Sequence, residues 1–488
     1  MAQVTITIND QKLTVPAGVT ILEAAEHAGI HIPTLCHIKD IDPRANCRMC
    51  VVEVEKFRTF QPACATKVTE GMVIHTDTPA VWKARKLNLE LILSHHAVEC
   101  HHCMRIGSSR CDDLDPYFCE MCFFCDCVKD GFCELQALAR EYKVDLLPFE
   151  IEDHDHELDI SSGVIIRNPN KCVKCKRCVD ICNEVQTVHN LCTMNRGTDT
   201  KVVPELGKPM GESNCVKCGR CVDVCPTGAI FALEHKDEVI YHAHKYETTS
   251  IAQVSEDLLP ELSRLFKMNE QAKLGTVVSG LHKIGFDYVV TDKAAKAVKA
   301  QKEEQILEEY LTSEKKEPLM MTDSIAVRNF VRQNFPEMEE RICFYSSAQK
   351  LYGEMAVKKI LADGASRKNI FVLNATSKVE SAAEALEDEN INCVVNAREL
   401  YRIFLRTGVN LKKRPSEYSE TLMDKLPKVK FVFEDSEWSL AKEIKVKEIR
   451  WKKEKLLCAE AVNLGQVRIL LEQIRNGDCT YDILRFHA

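Results

Sequence analysis

Apolar and polar positions alternate over residues 3–8 (QVTITI) and again over 11–15 (QKLTV), with Asn9 and Asp10 between the two runs. A period of two sends one face of each run to a core and the other to water. Asn and Asp tolerate turn backbone, so the segment predicts a β-hairpin. Thr20 can accept a hydrogen bond from the first turn of the helix-forming run ILEAAEHAG, which Gly29 can end. The run VVEVE at 51–55 predicts a strand, residues 81–94 a helix, and ELQALAREYKV at 134–144 a second helix. The acidic, His-containing stretch EIEDHDHELD at 150–159 reads as a solvated connector. Beyond residue 235 helical patterns alternate with strand runs such as FDYVVT (286–291) and NIFVLN (369–374), which predicts an α/β region with ordinary cores.

Length then multiplies the domains, because 488 residues exceed what one hydrophobic core organises. With 45% hydrophobic and 28% charged residues and only 35 Gly plus Pro, a disordered or collagen-like chain is excluded. The net charge of -8 gives no overall basic field, so no nucleic-acid partner is expected. No run approaches the roughly 18–20 apolar residues of a membrane span. The polar start MAQVTITIND is unlike a secretory signal, so a reducing cytoplasm is expected.

Cysteine changes the picture. Of 25, 21 precede residue 226, while Cys343, Cys393, Cys458 and Cys479 are scattered without metal spacing and read as core or surface thiols. Cys36, Cys47, Cys50 and Cys64, with gaps of 10, 2 and 13 residues, suit a 2Fe-2S cluster, structural zinc being the alternative for four soft thiolates. Cys172, Cys175, Cys178 and Cys182 follow C-x2-C-x2-C-x3-C, and Cys215, Cys218, Cys221 and Cys225 repeat it before Pro226. Such twin runs hold two 4Fe-4S clusters, the fourth cysteine of each run joining the other cluster. One set is therefore Cys172, Cys175, Cys178 and Cys225, and the other Cys215, Cys218, Cys221 and Cys182. Cys192, between the runs, reads as a small buried hydrophobe. Between Cys111 and Cys127 a further run, CDDLDPYFCEMCFFCDC, has C-x2-C-x2-C at its centre. Four of Cys111, Cys119, Cys122, Cys125 and Cys127 suit another 4Fe-4S cluster or a tetrahedral zinc, with Cys127 the spare.

The stretch CHIKDIDPRANCRMCVVEV resembles the N-terminal plant-type ferredoxin domain shared by the large peripheral iron-sulfur subunit of respiratory complex I and by FeFe hydrogenases. That resemblance implies a β-grasp fold. Both families carry a His-x3-Cys-x2-Cys-x5-Cys-Glu-Leu-Gln motif for a 4Fe-4S cluster, and HHAVECHHC with GFCELQALA resembles it. It implies His96, Cys100, Cys103 and Cys133 as ligands, with His95, His101 and His102 as surface or supporting histidines. Here 29 residues separate Cys103 from Cys133 where the family has 5, which leaves Cys111 or Cys127 open as the last ligand. An imidazole in place of one thiolate makes that site less negative and raises its potential.

The hydrogenase resemblance continues through FYSSAQKLYGEMAVKKIL and VVNARELYRIFLRTGVN, yet the positions for the catalytic H-cluster are altered. In the stretch matching Thr-Ser-Cys-Cys-Pro, Ser324 and Ile325 stand where the cysteines belong, and NATSKVE puts Ala375 at the cysteine of Pro-Cys-Thr-Ala-Lys-Lys. The third motif, a Cys-Pro-Gly-Gly-Cys pair, would begin just after Ala488. Neither isoleucine nor alanine can bind iron, so hydrogen chemistry, an H-cluster and any catalytic residue in this chain are not expected.

The expected fold class is α+β multidomain. It comprises a β-grasp 2Fe-2S domain (1–78), a His-Cys 4Fe-4S domain with a Cys-rich insertion (79–150), a two-cluster 4Fe-4S ferredoxin domain (151–235) and a degenerate hydrogenase-like α/β domain (236–488). The expected cofactors are one 2Fe-2S cluster and three 4Fe-4S clusters, with the 111–127 insertion a candidate for a further 4Fe-4S cluster or zinc. Nothing matching G-x-G-x-x-G or G-x4-G-K-[ST] follows a strand, so FMN is expected only on a partner. The resemblance implies an electron-transfer subunit of a bifurcating complex. Its partners would be a flavin-NAD(P)H subunit, a small 2Fe-2S subunit, ferredoxin and a separate catalytic subunit, formate dehydrogenase first. A hydrogenase or transhydrogenase complex, or a cluster-stabilised scaffold, is the alternative. KCVKCKRC (171–178) is one basic surface for acidic ferredoxin, and VKEIRWKKEK (446–455) reads as a solvated charged face.

Overall fold

The computed structural model describes residues 2–96, 128–129, 133–144, 149, 156–245, 247–313, 317–364, 366–415, 427, 429, 431–433, 436–451 and 454–487. The alternating N-terminal runs form β1 (Gln3–Ile8) and β2 (Gln11–Pro16), paired antiparallel across Asn9 and Asp10. Both turn residues take positive φ, 46° and 69°, the left-handed backbone that Asn and Asp accept at least cost. β3 (Val51–Val54), β4 (Gln61–Pro62) and β5 (Val73–His75) complete a sheet of order β2-β1-β5-β3-β4, with β1 and β5 parallel. Across it lies the helix Ile21–His27, capped by Thr20, whose hydroxyl accepts from the Glu23 amide while Glu23 bonds back to the Thr20 amide. Ile21, Leu22, Ala24 and Ala25 of this helix pack on Ile6, Ile8 and Ile74, and Cys50 and Cys64 belong to the same core. The cysteine loop is therefore anchored to the sheet.

The helix Pro79–Ser94 has Thr78 as its cap and proline in its first turn, and the helix Glu134–Glu141 is capped by Cys133. Between 156 and 235 the chain forms two small hairpin-like pairs. β6 (Ile165–Arg167) pairs with β9 (Ile230–Ala232), and β7 (Leu191–Met194) with β8 (Lys201–Pro204). The predicted connector is not solvated at its end. Asp159 pairs with Arg167 at 3.3 Å and accepts from the Met210 amide at 2.9 Å, because the bridge between 159 and 167 brings it onto the ferredoxin core.

The C-terminal half holds two sheets. β10 (Thr249–Val254), β11 (Tyr288–Thr291), β14 (Ile370–Ala375) and β15 (Cys393–Val395) form an all-parallel sheet, order β11-β10-β14-β15. β12 (Leu319–Thr322), β13 (Ile342–Phe344), β16 (Lys445–Trp451), β17 (Glu454–Ala461) and β18 (Ile483–Phe486) form the other, order β13-β12-β18-β17-β16. Only β16 runs antiparallel to its neighbour there, and it carries the basic VKEIRWKKEK face at the sheet's edge. The parallel strands are buried on both faces, as β14 is at all six positions, which is why they read as continuous apolar runs. Among the described residues no helix is long and apolar enough to cross a membrane.

The two halves share packing. Ile325, Val379, Ala382 and Ala383 of the C-terminal half sit in one hydrophobic cluster with Cys178, Cys221 and Cys225. The Leu464 amide donates to Gln186 at 2.8 Å, and Arg468 holds Thr187 through both Nε and Nη2.

Candidate iron-sulfur sites

In the N-terminal domain the thiols of Cys36, Cys47, Cys50 and Cys64 meet. Cys47 hydrogen-bonds Cys36 and lowers its thiol to about 6, and Cys64 does the same for Cys50, lowering it to about 7. Their partners Cys47 and Cys64 are correspondingly raised, first by those same bonds and then by burial. Charge on Cys36 also acts on Cys50 and Cys64, so the four form one group rather than two separate pairs. A negative charge concentrated on buried sulfur is the electrostatic counterpart of a metal cation.

The twin runs fold alike. In each, the second residue after the first cysteine (Lys174, Lys217) and the residue after the second (Lys176, Gly219) take positive φ, between 56° and 77°. This curls the run into a cup and turns the backbone amides inward, as where the Lys217 amide donates to Cys215 Sγ at 3.4 Å. Gly219 is required where Lys176 is tolerated, since a Cβ there would lie 2.4 Å from Val379 Cβ. Cys172, Cys175, Cys178 and Cys225 line one cavity of about 30 Å³; Cys182, Cys215, Cys218 and Cys221 line another of about 20 Å³. The fourth cysteine of each run thus lies with the first three of the other run.

Burial dominates the acidity of these thiols. It raises Cys172, Cys175, Cys178, Cys182 and Cys221, and pushes Cys215 up to about 11 and Cys218 to about 12. Within each group the thiols also raise one another by like charge: Cys172, Cys175 and Cys225 act on Cys178, and Cys215 and Cys218 on Cys221. Four thiols buried together cannot ionise without a cation among them, and soft polycationic iron suits that donor set.

His96 is buried at the end of the Pro79–Ser94 helix, and Cys133, also buried, accepts from the Gln136 amide at 3.4 Å. Cys100 and Cys103, the alternatives Cys111 and Cys127, and the insertion thiols Cys119, Cys122 and Cys125 lie outside the described residues, as do His101 and His102. Cys192 is half-buried on β7, 3.9 Å from the Pro204 carbonyl and outside both thiol groups.

Where the hydrogenase resemblance places cluster cysteines, this chain has ordinary packing. Ser324 caps the helix Ile325–Asn334, accepting from the Val327 amide and donating to the half-buried Glu380 carboxylate at 2.9 Å. Ile325 packs among Cys178, Cys221 and Cys225, and Ala375 is fully buried at the end of β14. Nearby runs a chain of buried charges. Arg485, 1% exposed, bonds Glu460 at 3.1 Å and Glu303 at 3.2 Å, while Lys299 holds Asp323 at 2.7 Å. Tyr345 donates to Glu303 at 2.5 Å, and Lys447 reaches Glu460 at 3.1 Å. No local pattern in the sequence signals this network, whose members are up to 182 residues apart. Another small group, His235, Glu238 and Cys393, brings three potential ligand atoms within 4.8 Å of one another. The Glu238 carboxylate already bonds the Cys393 thiol and lies 3.5 Å from His235 Nδ1, so hydrogen bonding accounts for this group.

Sheet, twin cups and C-terminal layers together define a multi-cluster iron-sulfur protein joined to a hydrogenase-type domain. Residues 1–79 match the 2Fe-2S iron-sulfur cluster binding domain, 162–231 the ferredoxin-like domain of NADH-quinone oxidoreductase subunit 3, and 248–488 the C-terminal domain of the iron-only hydrogenase large subunit. The chain is 31% identical over 438 residues to the NADP-reducing hydrogenase subunit HndD of Solidesulfovibrio fructosivorans, covering 86% of this chain and 71% of that one. It belongs to the iron-only hydrogenase large-subunit family. An NADH-quinone oxidoreductase subunit of Rhizobium meliloti is 40% identical over 203 residues, 40% of this chain and 20% of that one. The chain thus spans about a fifth of that relative's length, and about a quarter of the Candida albicans 78 kDa NADH-ubiquinone oxidoreductase subunit. Among solved structures, FeFe-hydrogenase HydA1 from Chlamydomonas reinhardtii aligns with TM-score 0.43 at 15% identity, covering 52% of this chain and 82% of that one.

Proposed function

We propose that this chain is the iron-sulfur electron-transfer subunit of a cytoplasmic, NAD(P)H- and ferredoxin-linked, electron-bifurcating complex. In it the chain wires a flavin-bearing subunit to a separate catalytic subunit, formate dehydrogenase ranking first. The observation that carries the reading is the gathering of twelve thiols into three groups of four, two of them packed against the hydrogenase-type C-terminal domain. Cys36, Cys47, Cys50 and Cys64 would hold a 2Fe-2S cluster. Cys172, Cys175, Cys178 and Cys225 would hold one 4Fe-4S cluster, Cys215, Cys218, Cys221 and Cys182 a second, and His96, Cys100, Cys103 and Cys133 a third. Clusters at these sites supply one-electron transfer. The chain's residues bury the ligands, exclude water from them, and fix the groups in one packed body. Leu35, Met49 and Cys47 of the first domain, Cys133 and Leu135, and Val173 of the first run share a single hydrophobic cluster.

The flavin-NAD(P)H subunit is assigned as a partner on the strength of the NADP- and NADH-linked relatives, and the small 2Fe-2S subunit and ferredoxin on the family resemblance. Anoxic purification of the tagged chain from its native cell, with mass spectrometry of co-purifying subunits, tests the proposal. Recovery with a flavin-NAD subunit and a formate dehydrogenase is expected. An H-cluster hydrogenase partner would move the catalysis to hydrogen, and recovery of the chain alone would remove the wiring role.

A further inference from the structure

Arg177 lies inside the first twin run, between Cys175 and Cys178, and is only 8% exposed. A guanidinium so deeply buried needs anionic neighbours. One is Glu134, which follows Cys133 at the start of the next helix and takes Arg177 in a two-point bridge, Nη1 to Oε1 at 2.6 Å and Nη2 to Oε2 at 2.8 Å. The Glu134 amide in turn donates to the Pro226 carbonyl, next to Cys225, so the bridge ties the helix after Cys133 to the first cup. The field of Arg177 also reaches the thiols of Cys175 and Cys36, and its buried Nε has no acceptor among the described residues. One cation therefore sits among the sulfur of two groups while clasped to the segment of a third.

Resting on the ligand assignments above, we propose that the Arg177–Glu134 bridge sets the reduction potentials of the neighbouring cluster sites. A cluster that accepts one electron gains one negative charge, so a fixed buried cation favours its reduced form. Arg177 thus raises the potentials at the Cys36 and Cys175 sites. Glu134, half-exposed, offsets part of that charge and so limits the rise. Arg177 is in this sense a positioning and tuning residue that adds no ligand of its own, and its Nε is free to donate to anionic sulfur.

Anoxic, cluster-loaded full-length chain, titrated with dithionite and mediators and read by EPR, tests this. Arg177→Gln should lower the potentials at the Cys36 and Cys175 sites, with at least a tenfold fall in the reduced-to-oxidised ratio at fixed potential, about 59 mV for a one-electron couple. Glu134→Gln should raise them by less, and Arg177→Lys should stay near the parent. The site of Cys215, Cys218, Cys221 and Cys182 should move least. Opposite shifts in the two variants are the signature, because a loss of packing would not reverse sign. Unchanged potentials in Arg177→Gln and Glu134→Gln with clusters intact overturn the inference and leave the proposed function standing. Should Arg177→Gln fail to load, the direction of the Glu134→Gln shift decides. Iron-sulfur signals missing from the parent chain would instead sink the ligand assignments.

Discussion

The two halves of this protein bury polar groups in opposite ways. In the twin cups thiols gather with like neighbours, and burial together with their mutual repulsion drives Cys178 and Cys221 far from ionisation. In the C-terminal half Arg485 stands between Glu303 and Glu460, and Lys299 between Glu303 and Asp323, so the chain supplies its own counter-charges. Both solutions obey the same rule, that a charge leaves water only in the company of its opposite. The difference lies in where the opposite charge originates. A thiol cup must import its cation as metal, whereas the ion network is complete within the polypeptide. A hydrogenase-type domain can thus keep its layers with Ser324, Ile325 and Ala375 in ordinary packing.

The sharpest way to break this comparison is to remove one member on each side. Cys178→Ser should abolish the EPR signal of one 4Fe-4S site and lower the iron content by one cluster, because an alcohol binds iron far more weakly than a thiolate. An unchanged iron count would show that the first cup does not hold metal through that thiol. On the other side, Arg485→Leu takes the shared cation from Glu303 and Glu460 and leaves each buried carboxylate with a single lysine, Lys299 or Lys447. It should cost about 3–5 kcal/mol in anoxic urea unfolding, the typical penalty for breaking a buried pair from one side. A loss below about 1 kcal/mol would mean that water enters the network freely.

Acidity gives a finer test. Burial raises the Glu384 carboxyl to about 7, outweighing the hydrogen bonds from Ser347 that lower it. The folded chain therefore holds this proton more tightly than the unfolded chain, where a glutamate titrates near 4.3. Its favourable contribution is complete below about pH 4 and is lost as pH rises through 7. Unfolding measured between pH 5 and 8 should show this decline, and Glu384→Gln should flatten it by roughly 2 kcal/mol over the range. Burial raises the Glu399 carboxyl to about 8, so part of the slope stays in the variant; a slope wholly unchanged by the substitution would move the effect away from Glu384. The smallest effect belongs to Cys192→Ser: iron content and EPR signals should be unchanged and stability should shift by less than about 0.5 kcal/mol. Loss of a cluster in that variant would make the half-buried thiol a ligand.

Much of the architecture is legible in the sequence because its causes are local. The β1–β2 hairpin follows from alternation and from Asn9 and Asp10, the first helix from Thr20 and Glu23, and β14 from the unbroken run IFVLN. The cups follow from a spacing of two and two that only a tight, positive-φ backbone can close around one centre. A solvated Asp159 is what its acidic neighbours suggest, and the reading fails because its partners, Arg167 and the Met210 amide, lie 8 and 51 residues away. Arg177 is legible in the sequence only as one cation in a basic run. Its bridge to Glu134 spans 43 residues, and nothing within either segment points to the other.

The sequence alone thus determined which sulfur atoms can share a centre, since ligand spacing is set by the reach of a few residues of backbone. Its resemblance to the hydrogenases also marks Ser324, Ile325 and Ala375 as the positions where that family carries cluster cysteines. Tertiary structure alone decided what those positions do in place of metal binding, and which distant charges complete the interior around Arg485. It decided too that Arg177 lies among three cysteine segments. The physical reason is range: covalent spacing and hydrogen-bonded turns act over a few residues, whereas buried charges find their partners wherever folding excludes water.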